Sequence, residues 1–390
     1  MEILDLAAVG GGLSVISWAY LLLGRGGFWR VPKPPAQGGG TGSSQGGVAV
    51  VVPARDEAAV IAQSVQSLVQ QTFGGPLHIF VVDDGSSDET ASVAREAAGR
   101  AGKADALTVT EGRPVPSGWS GKVWALEQGV ERARELQPRF LLFTDADVVH
   151  APESVATLVG QAERGGYDLA SFMVKLRCQT PAEKLLIPAF VFFFFKLYPP
   201  TWIADARRDT AGAAGGCLLI RPEALERAGG LAAIRGEIID DCALARAVKK
   251  TGGRVWLGLT PTTASIREYG SPAAIGRMIS RTAFNQLQHS TLLLLGALAA
   301  MVATYLLPVA LVASGRPLPT LLGTLAWGAM TAAYLPMVWF YGLAGWWALS
   351  LPLVALFYMG ATVHSALQYW AGRGGEWKGR VQDRGREMAS

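Results

Sequence analysis

Several acidic groups in the chain are of a kind that holds a divalent cation or takes a proton. In Asp145-Ala146-Asp147, two carboxylates follow the apolar run Phe140–Thr144. Side chains two apart in an extended segment point the same way, which would aim both carboxylates at one ion. Hard cations such as Mg2+ or Mn2+ take oxygen ligands and share their shell with substrate phosphates. Taken alone, the triplet reads equally well as a capping turn before the helix that Pro152-Glu153 begins. Asp83-Asp84-Gly85-Ser86 offers a glycine for a tight turn and a carboxylate, Asp84, able to accept hydrogen bonds from a nucleobase or ribose. Gly118-Trp119-Ser120-Gly121-Lys122 sets a lysine at a helix start behind two glycines, either to meet a phosphate or to lie on a solvated surface. Asp240-Asp241 opens another helix, where carboxylates offset the dipole. An Asp beside a second carboxylate is also a candidate general base.

Positioning these groups requires alternating strands and helices. The pattern predicts strands over 48–52, 77–82, 106–110 and 140–144, and helices over 58–71, 89–100 and 122–136. That alternation implies an α/β domain with right-handed crossovers and a mostly parallel sheet. Ligands in such sheets bind beyond the carboxyl ends of the strands. Pro53-Ala54-Arg55-Asp56-Glu57, Asp83 to Ser87 and Asp145 to Asp147 all fall there.

Hydrophobic residues make up 50% of the 390 and charged residues 17%, with the apolar runs gathered at both ends, so the chain reads as a membrane protein. Residues 1–24 form a transmembrane helix, 25–47 a Gly/Ser-rich linker, 48–281 the catalytic domain, 282–372 a membrane region of about three helices, and 373–390 a basic tail. Arg25, Arg30 and Lys33 after the first span place the central domain on the cytoplasmic side of a multi-pass bacterial inner-membrane protein. Four spans then leave the tail outside, against the same rule, unless one hydrophobic segment is re-entrant. The run 185–195 is too short to cross as a helix and reads as an interfacial helix or a buried one. A net charge of +4 suits apposition to anionic lipid better than nucleic-acid binding, and no basic patch with interleaved aromatics exists. The three cysteines lack metal-site spacing.

Together these residues resemble the family-2 glycosyltransferases with the GT-A fold, a Rossmann-like nucleotide-sugar-binding domain, over about 48–281. The matching parts are Pro53 to Glu57, Asp83 to Ser86, Asp145 and Asp147, Gly215-Gly216-Cys217 and Asp240-Asp241, in the family's order. The resemblance implies a nucleotide-sugar donor held by Pro53, Ala54, Glu57, Asp84, Lys122, Asp145 and Arg281. It also implies Mg2+ or Mn2+ on Asp145 and Asp147, Asp241 as base beside Asp240, and Gly215, Gly216 and Cys217 on the acceptor side. The segment around Lys122 is similar to lipid-directed members. Phrases such as Pro188-Ala189-Phe190-Val191-Phe192-Phe193 and Ile239-Asp240-Asp241-Cys242 are similar to the bacterial hopanoid-biosynthesis-associated glycosyltransferase, which implies a lipid acceptor. The family's Q/R-x-x-R-W motif is altered here: Arg281 is followed by Thr282, without the tryptophan that grips a sugar acceptor. Single inverting transfer to a lipid is therefore expected over processive polysaccharide synthesis. An inactive lipid-binding scaffold is disfavoured by the intact acidic set.

Overall fold

Strand β1 (Val48–Ala54) is buried at every position, so both of its faces are covered and its apolar run needs no alternation. Seven further strands are β2 (Leu77–Asp83), β3 (Leu107–Glu111), β4 (Phe140–Thr144), β5 (Val148–His150), β6 (Leu169–Lys175), β7 (Cys217–Ile220) and β8 (Val255–Ser265). The helices of the first half are α1 (Ile3–Leu23), α2 (Ile61–Val69), α3 (Thr90–Arg100), α4 (Gly121–Ala133), α5 (Ser154–Gly165), α6 (Pro181–Leu197) and α7 (Pro200–Ala204). The second half adds α8 (Pro222–Arg227), α9 (Asp240–Lys250), α10 (Pro272–Gln286), α11 (Thr291–Met301), α12 (Leu307–Val312), α13 (Pro317–Phe340) and α14 (Leu351–Trp370). This computed structural model describes residues 3–32 and 46–374, so most of the expected linker and basic tail lie outside the described residues.

The strands form one sheet in the order β3-β2-β1-β4-β7-β6-β8-β5. Parallel pairs join β1 to β2 and β4, β2 to β3, and β6 to β8. β7 runs antiparallel to both β4 and β6, and β5 antiparallel to β8, so the sheet is mixed. The direction of β7 escapes a sequence reading because its four apolar residues, Cys217 to Ile220, are equally suited to either sense. One face is packed by α2, α3 and α5. The other carries a larger core that runs from α4 and α9 through α6 into α13 and α14.

Among the described residues, five segments are long and apolar enough to cross a membrane: Leu6–Leu23, Pro181–Ala204, Thr291–Val312, Pro317–Phe340 and Gly345–Trp370. α1 packs against α12, α13 and the π-helical turn Val302–Leu306. That turn releases carbonyls from the regular ladder, and α1 supplies their donors: Trp18 Nε1 bonds Thr304 O at 2.9 Å and Ser14 Oγ bonds Ala303 O at 2.6 Å. α6 is longer than the eleven-residue run read from sequence, and of the two readings of that run it takes the buried one. A Thr180–Glu183 capping box with Pro181 starts it earlier, it runs 17 residues, and Phe192 and Phe195 are fully buried. It is a core helix packed on α10, α13 and α14.

α4, which carries Lys122, seats against β1 through Gly129, where an added Cβ would lie 2.2 Å from Val51 Cγ1. Gly129→Ala is therefore expected to force the helix off the sheet and destabilise the protein by about 1–3 kcal/mol, read as a lowered melting midpoint in detergent. An unchanged midpoint would show that the helix–strand seam yields freely.

Candidate active site

Lys122 stands in the first turn of α4 because Ser120 caps that helix, its Oγ accepting from Val123 N, while Ser120 N donates to Arg235 O at 2.7 Å. Its Nζ lies 2.8 Å from Asp145 Oδ1 and 3.7 Å from Asp240 Oδ2. Burial alone would lower the pKa of this ammonium, but the charges of Asp145 and Asp240 outweigh it and raise the value above that of an ordinary lysine. Asp241, next on α9, accepts from Gly215 N at 2.8 Å on Oδ2 and from Cys242 N at 2.7 Å on Oδ1. Burial, and then the neighbouring Asp240, push its carboxyl up to about 6, against the pull of Lys122. Gly215 is small for a reason: a Cβ there would sit 3.3 Å from Lys122 Nζ and 3.4 Å from Asp241 Oδ2.

These groups line one pocket, with Pro53 and Thr144 at the strand ends and an apolar floor that includes Leu126, Phe143, Leu218 and Leu244. The sheet order explains the convergence. β4 pairs with β1 on one side and β7 on the other, which brings Pro53, Asp145 and Gly215 to one edge.

Asp147 is placed differently from the extended arrangement read from sequence. Asp145-Ala146-Asp147 forms a turn closed by Val148 N donating to Asp145 O at 3.1 Å, and the two carboxylates meet different cations. Asp147 is not among the residues lining the pocket. Its Oδ2 accepts from Ser265 Oγ at 2.9 Å and from Arg267 Nε at 2.8 Å. The same guanidinium bonds Glu57 Oε1 at 2.6 Å.

Asp84 is 2% exposed, with its backbone N–H on Ala54 O, and Arg55 Nη1 lies 3.9 Å from its Oδ2. Ala54 is a buried strand residue. Gly216 packs on Val174, and its carbonyl accepts from Thr144 Oγ1 at 2.8 Å. Cys217 belongs to the core rather than to an acceptor surface, and burial pushes its thiol up to about 12. Arg281 is exposed on α10 and reaches the site only through its charge beside Tyr269.

Three contributors were missed in the sequence: Ser265, Arg267 and Tyr269. Tyr269 is set near Asp147, Arg267 and Arg281, and burial, then the charge of Asp147, push its phenol up to about 12. The available signal was the polar run Ser265 to Tyr269 directly after an apolar strand, but β8 itself was not anticipated. His150 is buried, bonds Thr144 Oγ1 through Nε2 at 3.0 Å, and is held neutral by burial with its pKa lowered to about 4.

Residues 49–229 match the family described as Glycosyl transferase family 2. Over 118 residues the chain is 36% identical to the 4,4'-diaponeurosporenoate glycosyltransferase of Staphylococcus aureus (strain USA300), which covers 30% of this chain and only 28% of that protein. The solved mannosyltransferase PcManGT from Pyrobaculum calidifontis, in complex with GDP-Man and Mn2+, aligns with a TM-score of 0.57 at 19% identity, over 93% of this chain and 99% of that one. That likeness makes the mixed, Rossmann-like sheet a GT-A fold.

The oxygen donors at the strand ends suit a hard divalent cation. They are carboxylates without thiolate or imidazole, and three of them, Asp145, Asp240 and Asp241, face a single ammonium in the pocket. Both bonds to Asp147 fall on Oδ2, leaving Oδ1 as a donor. Among the described residues no group of three or more His, Cys, Asp or Glu could by itself hold a metal ion, so a cation there would complete its shell from substrate phosphates and water.

The Asp241 shift has a stability consequence. A folded-state pKa of about 6, above the ordinary 3.8, gives a contribution present below pH 4 and lost as pH rises through 6. Asp241→Asn, which keeps an acceptor for Gly215 N, is thus expected to melt no lower than wild type at pH 7.5, and to lose that relative advantage at pH 4. A markedly lower midpoint at pH 7.5 alone would contradict the raised pKa.

Proposed function

We propose that the chain is a membrane-bound inverting glycosyltransferase that moves a sugar from a nucleoside-diphosphate sugar, in the first instance a UDP-sugar, to a lipid hydroxyl. The observation that carries this reading is the single pocket at the strand ends in which Lys122, Asp145, Asp240 and Asp241 converge. The donor lies across the ends of β1, β2 and β4, with Asp84 toward the nucleoside and Lys122 toward the diphosphate. Asp145 and Asp147 would hold a Mg2+ or Mn2+ ion, which would offset charge on the leaving nucleoside diphosphate. Arg267 and Ser265 fix the Asp147 carboxylate from behind. Asp241 takes the proton of the acceptor hydroxyl, and its raised pKa keeps it basic enough for that step while ionised near neutral pH. Asp240 is the reserve base on the same helix turn.

A lipid-like acceptor is supported by the Staphylococcus aureus relative, whose name gives diaponeurosporenoate as its substrate, and by the apolar helices that pack on α6. A hopanoid is the finer form of the proposal and rests on the sequence phrases around Phe190 and Asp241. The same reading places residues 48–281 at the cytoplasmic face, where nucleotide sugars are made. Comparing the lipids of cells with and without the protein tests the acceptor: a glycosylated lipid that vanishes with the protein names it, and an unchanged lipid profile removes the proposal.

Metal dependence is expected through Asp147. Asp147→Asn should weaken Mn2+ and donor binding together, and undiminished transfer in excess chelator would overturn the role given to the cation.

Transfer is expected to rise with pH through about 6 as Asp241 loses its proton. Asp241→Asn should bind donor normally and lose roughly two to four orders of magnitude in rate. Near wild-type turnover by that variant, with donor affinity unchanged in calorimetry, would move the base to Asp240.

A further inference from the structure

We infer that Lys122 and the divalent cation compete for Asp145, so that metal enters the site together with the donor diphosphate rather than before it. This rests on the reading above, in which the pocket takes a metal and a nucleoside-diphosphate sugar. Lys122 Nζ is 2.8 Å from Asp145 Oδ1, on the very carboxylate a metal would use, and 3.7 Å from Asp240 Oδ2. The lysine is held there by construction. Its helix start is pinned by the Ser120 cap and by the bond from Ser120 N to Arg235 O, and Gly215 leaves just enough room for the ammonium beside Asp241.

A dication bound directly to Asp145 would stand next to that ammonium, and like charges at such distances repel strongly away from bulk water. The lysine stem is long and flexible and its charge is a compact point, so it can swing as long as another anion receives it. A nucleoside diphosphate provides that anion. Once the ammonium transfers to the diphosphate, Asp145 is released to the metal, which also gains phosphate oxygens. Metal and nucleotide then bind with positive coupling, and the coupling is the same seen from either ligand. Lys122 thus orders substrate entry by exchanging Asp145 for the donor diphosphate.

Mn2+ binding to the full-length protein in detergent tests this, read by the electron paramagnetic resonance signal of free Mn2+ with and without UDP or GDP. Lys122→Met, which removes the charge, is expected to bind Mn2+ alone about tenfold more tightly than wild type. Lys122→Arg should behave as wild type. Added nucleoside diphosphate should shrink the gap between Lys122→Met and wild type. Lys122→Gln serves as a second neutral variant if the Met protein fails to fold, with the melting midpoint as the check. Mn2+ affinity in a folded neutral variant equal to or weaker than wild type, without nucleotide, overturns the competition while leaving the metal reading intact. Absence of Mn2+ binding in every protein, with or without nucleotide, overturns the metal reading and the competition with it.

Discussion

The ammonium of Lys122 set among Asp145, Asp240 and Asp241 is the interaction on which the arrangement of the site depends. It ties the start of α4, the turn after β4 and the first turn of α9 to one point. None of these segments is near another in the chain, and each is held at its own base by local physics: a serine cap, a strand buried on both faces, and a helix whose acidic start and basic end suit its dipole. Three carboxylates against one ammonium leave the pocket electronegative. A site of that charge accepts a cation more readily than an isolated anion, which fits a donor that arrives with its metal.

Arg267 forms a second bridge. It joins Glu57 after β1 to Asp147 after β4, and Tyr269, two residues on, donates its backbone N–H to Glu183 at 3.1 Å. Glu183 also caps α6 and pairs with Arg177. A continuous path of bonded groups therefore runs from the turn that holds Asp147 to the aromatic helix at the centre of the apolar bundle. Tyr358 of α14 closes it by bonding Leu186 O at 3.0 Å. The α/β half and the apolar helices share one core rather than meeting across a loose joint.

The apolar helices satisfy their released polar groups among themselves. A carbonyl released by a π turn needs a donor, and Trp18 and Ser14 of α1 supply two. Small residues let backbones approach: Gly11 meets Leu322, and a Cβ on Gly323 would fall 2.6 Å from Pro308 O. Lys196 on α6 bonds the Tyr305 hydroxyl at 2.9 Å and lies over the Phe193 ring.

Local chemistry was legible in the sequence. Apolar runs closed by acidic turns marked β1, β2 and β4, because a strand buried on both faces must be apolar and its carboxyl end must be polar to meet solvent or ligand. The order of the acidic clusters pointed to the right sheet edge, and Lys122 was visible as a cation at a helix start. What the tertiary structure alone decided was which charges meet. The turn at Asp145 to Asp147 sends the two carboxylates to Lys122 and Arg267, since a turn, unlike a strand, does not keep alternate side chains parallel. Gly215 reaches the pocket because β7 runs against β4, which sets the residues before β7 beside the end of β4, and strand direction is not encoded in four apolar residues. Arg267 and Tyr269 follow a strand that sequence periodicity did not reveal, and their partners Asp147, Glu57 and Glu183 lie far away in the chain. Such long-range pairs follow from the packing of whole elements, and no local pattern carries that information.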